Sequence, residues 1–186
     1  MDERAFASRA EWEGWLEAEH ADCDGVWVRF PKKGTGLPTV DFVEAIEVAL
    51  CFGWIDGQRK GLDDTHYLQK FTPRRVRSKW SQINVGRCGE LIEAGRMRPA
   101  GQAQIDAAKA DGRWDAAYAP ASKIEVPPDL VEAMEAAGVT DVFAGLKSQD
   151  RYSILFQLHD AKRPETRARR IVKFTEQLRS QRPAGA

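Results

Sequence analysis

Apolar and polar positions along this chain repeat with two periods, one helical and one of strands. Trp12, Trp15 and Leu16 fall at helical spacing, with Glu19 on the next turn. They follow Ser8-Arg-Ala-Glu11, a capping box in which Ser and Glu satisfy free amides at a helix start. The pattern predicts a helix over 9–20. Val26, Val28 and Phe30 then alternate with Trp27 and Arg29, the period of a strand. The loop Pro31-Lys-Lys-Gly-Thr-Gly36 ends that strand. Asp41 and Glu44 are suited to cap a second helix, whose stripe is Phe42, Ile46, Ala49 and Leu50, and Gly53 stops it. Two strand-like runs follow, 54–60 and 66–72, joined by the turn sequence Gly61-Leu-Asp-Asp64.

Beyond Pro73 the pattern turns helical. Residues 80–94 and 99–110 read as helices, the second opening on Pro99, where the missing amide costs nothing. Tyr118-Ala-Pro-Ala-Ser-Lys-Ile-Glu-Val-Pro-Pro128 is the one linker-like stretch, so the reading divides the chain into 1–120 and 121–186. In the second part 129–137, 140–146, 149–160 and 164–179 suit helices. The expected class is α+β, mainly helical, with a small antiparallel sheet in the N-terminal part and a helical C-terminal part.

Composition excludes several classes. The chain has 186 residues, enough for a sizeable core, and 42% are hydrophobic, which argues against disorder. Lys+Arg and Asp+Glu both number 28, so any electrostatic function must come from local asymmetry. Three cysteines, Cys23, Cys51 and Cys88, do not make a disulfide framework and fit a reducing compartment. No apolar run approaches a membrane span, and no apolar stretch follows Met1-Asp-Glu-Arg4, so the expected location is the cytoplasm.

The local asymmetry is easy to find. No acidic residue stands between Asp64 and Glu90, while Lys70, Arg74, Arg75, Arg77 and Lys79 do. Arginine reads carboxylate and phosphate with a planar fork. Ser78, Ser81 and Asn84 supply neutral hydrogen bonds, and a helix starting near 78–81 adds free amides. Phe71 and Trp80 are candidate stacking faces. The competing reading is a solvated basic loop with Trp80 in the core.

Just upstream, Cys51-Phe-Gly-Trp-Ile-Asp56-Gly57 suits a sharp helix-to-strand turn. Asp56 would then lie on a strand beside 66–72, near the arginines. It is either a structural counter-ion for Arg74 or Arg75, or a general base. Cys51 reads as a buried apolar thiol. The pair His20 and Cys23 lacks a matching second pair, so no metal is expected, and no cofactor motif is present. The 31–36 loop lacks the Gly-Lys-Ser/Thr ending of a phosphate loop. In the last helix Ala168, Ile171, Val172, Thr175 and Leu178 form one face. Arg163, Arg167 and Arg170 form another, a second basic surface flanked by Arg169 and Lys173.

These segments together resemble a known family. Leu50-Cys-Phe-Gly-Trp-Ile-Asp-Gly57, Phe71-Thr-Pro-Arg-Arg75, Ser78-Lys-Trp-Ser81 with Asn84, and Ala161-Lys-Arg-Pro-Glu-Thr-Arg-Ala-Arg-Arg-Ile171 are similar to the bacterial YdeI/OmpD-associated proteins. Gly95-Arg-Met-Arg-Pro-Ala-Gly101 and Asp111-Gly-Arg-Trp-Asp115 extend the likeness over nearly the whole chain. The resemblance implies bacteriocin protection and resistance to antimicrobial peptides. It implies no reaction, cofactor or catalytic residue. The family's periplasmic location and OB-type fold are not expected here, because the chain reads as mostly helical and without a signal peptide.

Three functions are compatible with these residues. The first is a non-catalytic protein that binds an anionic small molecule or a nucleic-acid backbone through Trp54, Lys70, Arg74, Arg75, Arg77, Ser78, Trp80, Ser81 and Asn84. The second is an enzyme on an anionic substrate, with Asp56 as base and Arg74 and Arg75 as clamp. The third is a protein-interaction module using the C-terminal helices.

Overall fold

The strand-forming runs pair as their alternation demands. A computed structural model describes residues 1–181. Strand β2 (Val26–Pro31) lies antiparallel to β4 (His66–Pro73), and β4 lies antiparallel to β3 (Trp54–Gly61). A two-residue strand β1 (Glu3–Arg4) adds to β2 in parallel, which makes the sheet mixed, with order β1-β2-β4-β3. The parallel edge is the one departure from the expected antiparallel sheet. Two residues are too short to carry a period.

Pleating sorts the side chains. Val26, Val28 and Phe30 share one face with Phe71, and all four are buried. Trp27 and Lys70 point the other way. A bulge interrupts β3 between Asp56 and Arg59, and Gln69 donates to the carbonyl of Gly57 at 2.8 Å, satisfying what the bulge leaves unpaired.

Helix α1 (Arg9–Glu19) starts as its capping box predicts. Ser8 accepts from the Glu11 amide, and Glu11 accepts from the Ala7 amide at 2.8 Å. Helix α2 (Phe42–Cys51) is capped by Asp41 and buried over most of its circumference. It packs on α1, α3 (Gln82–Glu93) and α4 (Pro99–Ala110). Small residues permit this. A Cβ on Gly101 would run into the carbonyls of Cys51 and Leu50, so only glycine lets α4 come this close to the end of α2. Trp12 and Trp54 are fully inside and spend their indole N–H groups on the carbonyls of Ala45 and His20.

The chain divides into two units, Met1–Ala117 and Tyr118–Ala186. The second unit is helical: α5 (Pro128–Ala137), α6 (Thr140–Ala144), α7 (Ser148–His159) and α8 (Pro164–Ser180). Its core is Leu130, Met134, Val139, Phe143, Ile154, Leu155, Leu158, Phe174 and Leu178. The buried stripe of α8 runs through Phe174, Thr175 and Leu178, with Ile171 packed beside it. Val172, expected on that stripe, is 55% exposed. Helical spacing alone cannot choose between neighbouring stripes when both carry apolar residues. No helix among the described residues is long and apolar enough to cross a membrane.

Candidate functional site

The acid-free segment folds into a braced turn. Arg75, Val76, Arg77 and Ser78 form a β-turn in which the Ser78 amide donates to the Arg75 carbonyl at 2.9 Å. The Ser78 hydroxyl accepts from the Arg75 amide at 3.0 Å, closing the turn from the other side. Arg75 and Arg77 are exposed, and Val76 between them is 83% exposed.

Two other arginines hold this turn from within. Arg74 is only 7% exposed. Its guanidinium lies 3.6 Å from the centre of the Trp80 ring and donates to the Lys79 carbonyl at 3.2 Å. Arg113 donates to the Ser78 carbonyl at 2.9 Å. Asp111 fixes Arg113 through contacts of 2.7 and 2.8 Å to its Nε, and that hydrogen bond holds the Asp111 carboxyl below its ordinary value. Trp114 packs edge-on against Trp80 at 4.9 Å. The segment Asp111-Gly-Arg-Trp-Asp115 thus braces the turn. Its distance in sequence hid that role, and its mixed charge gave no sign of it.

The remaining predicted residues do not all converge. Trp54 is 1% and Trp80 2% exposed, so both are core side chains and neither offers a stacking face. Phe71 is likewise buried. Lys70 lies across from Trp27, its Nζ 6.0 Å from that ring. Asp56 pairs with Phe71 and therefore faces the opposite side of the sheet from Lys70. Ser81 is the N-cap of α3 and accepts from the Asn84 amide at 3.1 Å. The Asn84 side chain accepts from Arg87 at 3.4 Å. These polar groups are engaged in building the turn and the helix start.

Asp56 is half-buried. Burial pushes its carboxyl up from the ordinary value, against its own backbone hydrogen bond and the charges of Arg74 and Arg87. Arg87 lies on α3 one turn beyond Asn84, the last residue of the site predicted from sequence. Cys88, near Arg74, is buried and its thiol is pushed up to about 12. Cys51 is also buried and raised by burial. Among the described residues no three His, Cys, Asp or Glu side chains gather as a metal site.

The proposed second basic surface is largely turned inward. Arg167 grips Asp129 with two bonds, at 2.5 and 2.7 Å, and donates to the Leu158 carbonyl at 2.9 Å. Arg170 donates to the Gln157 carbonyl. Both carbonyls belong to the last turn of α7, where helices lack internal donors. Arg163 alone of the three is exposed.

Residues 4–104 match the family model described as Domain of unknown function (DUF8412). Residues 123–181 match the model described as Bacteriocin-protection, YdeI or OmpD-Associated. The chain belongs to the DUF8412 family and carries a YdeI/OmpD-associated domain. The braced turn lies in the DUF8412 part. The Arg167–Asp129 grip lies in the YdeI/OmpD-associated domain. The likeness drawn over 50–84 therefore falls inside the DUF8412 match, and the YdeI/OmpD-associated match is confined to the helical unit. No curated protein and no solved structure matches the chain.

Proposed function

We propose that this protein binds a phosphate- or carboxylate-bearing ligand through the turn at 75–78, without catalysing a reaction. One observation carries the reading. Two arginines, Arg74 and Arg113, are used internally to hold the backbone on which two others, Arg75 and Arg77, stand exposed. A flexible basic loop would need no such brace. A preorganised pair of forks loses less freedom when it grips an anion. The free cysteines support a reducing, cytoplasmic setting, and the YdeI/OmpD-associated domain supports a role in bacteriocin protection.

Fluorescence anisotropy with a labelled single-stranded oligonucleotide, in competition with inorganic pyrophosphate, tests this. Two arginines neutralising phosphates predict a log–log salt slope of about −1.4 for the oligonucleotide. Competition by pyrophosphate assigns the ligand to small phosphates, and its absence assigns it to a backbone. Binding of neither probe at low salt overturns the reading.

A second reading rests on Asp56, whose raised carboxyl beside Arg74 and Arg87 has the character of a general base. In that case Asp56→Asn retains ligand binding and loses turnover. Arg75 is exposed whereas Arg74 is buried, so the two do not form the clamp that this mechanism first suggested.

A further inference from the structure

The YdeI/OmpD-associated domain contains a cavity of about 770 Å³, within the range of pockets that hold small molecules. Ser148, Arg151, Tyr152 and Leu155 of α7 line it, spaced so that one helix face looks inward. Met134 of α5 and Phe143 of α6 also line it, and with Leu155 they belong to the buried core. The strap at 121–126 contributes small and aliphatic side chains. Tyr152 pins that strap by donating to the Ala119 carbonyl at 3.3 Å.

The charge in this cavity has one sign. Among the described residues that line it, Arg151 alone is charged. It also makes no ion pair among the described residues, whereas Arg167 of the same unit is locked to Asp129. An apolar chamber with one uncommitted guanidinium at its wall fits an apolar body with one anionic group.

We propose that this cavity binds a small amphiphile of the medium-chain carboxylate class. Its chain rests on Met134, Phe143 and Leu155, and its carboxylate on Arg151. The site is separate from the cationic turn and does not depend on it.

Isothermal titration of the intact chain with octanoate, decanoate and dodecanoate, and with the neutral alcohol decanol, tests the assignment. Affinity should rise roughly three- to fourfold per added methylene. Arg151→Gln should weaken decanoate about tenfold, the loss of a hydrogen bond to a charged group, and leave decanol within about twofold. Ala144→Trp, at an exposed position on the wall, should block both ligands. The Arg75→Ala/Arg77→Ala variant should bind decanoate as the wild type does. Affinity that does not change with chain length overturns the proposal. So does an Arg151→Gln protein whose preference for decanoate over decanol is unchanged. That last comparison sets two ligands against one folded protein, so it decides the matter even if Ala144→Trp fails to fold.

Discussion

The two units use arginine in opposite ways. In the first, Arg74 and Arg113 turn inward and donate to backbone carbonyls of a loop, and their neighbours Arg75 and Arg77 stay in solvent. In the second, a run that reads as a basic surface is drawn in by the end of a helix. Arg167 and Arg170 donate to the Leu158 and Gln157 carbonyls, and Asp129 takes the rest of Arg167. The difference lies in which carbonyl and carboxylate acceptors stand nearby. A row of arginines is a binding surface only after the local carbonyls and carboxylates have been served.

The comparison can be broken most forcefully at Arg74. Replacing it with alanine removes a desolvated cation–π contact and a hydrogen bond, and should cost about 3 kcal/mol. All six tryptophans lie in the first unit, so urea unfolding followed by tryptophan fluorescence measures that loss directly. Arg167→Ala should cost about 1–2 kcal/mol, seen in far-UV ellipticity. That is less than for a buried pair because 44% of the Asp129 side chain is exposed and water screens the contact. It should leave anion binding unchanged. Arg113→Ala should cost about 1 kcal/mol and weaken binding several-fold, since it loosens the turn without removing a cation from its surface.

The paired aspartates sharpen the contrast through pH. The Arg167 hydrogen bond holds the Asp129 carboxyl below its ordinary value. Its contribution is therefore present above the unfolded value of about 4 and lost as pH falls through the folded one. Asp56 is raised, so its folded form binds the proton more tightly. Stability attributable to Asp56 should rise as pH falls from its raised value toward about 4. Melting temperatures of Asp129→Asn and Asp56→Asn against the wild type, at about pH 7 and about pH 4, should differ from it with opposite pH trends. Trends of the same sign would remove the distinction between the two sites.

Much of the fold was legible from the residues. The Ser8 and Asp41 caps, the alternation of Val26, Val28 and Phe30, and the turn after Gly61 each have a local cause that the structure repeats. What was not legible depends on partners distant in sequence. Nothing near Arg74 says that Trp80 will lie under it while Arg75 faces water. Nothing near Ser78 points to Arg113. The face of α8 that packs was ambiguous because Val172 and Phe174 are both apolar and two residues apart. The stacking role expected of Phe71 and Trp80 failed for a related reason: both are buried, and Trp80 lies beneath Arg74 instead of facing a ligand.

The proposed anion-binding pair is Arg75 and Arg77, presented in solvent on the braced turn. The most direct measurement is oligonucleotide and pyrophosphate binding by Arg75→Ala/Arg77→Ala at low salt, with its melting temperature taken alongside. Binding of the bound probe should be lost while the melting temperature stays within about 2 °C of the wild type, as expected for exposed side chains. A double variant that folds normally and binds with wild-type affinity would contradict it.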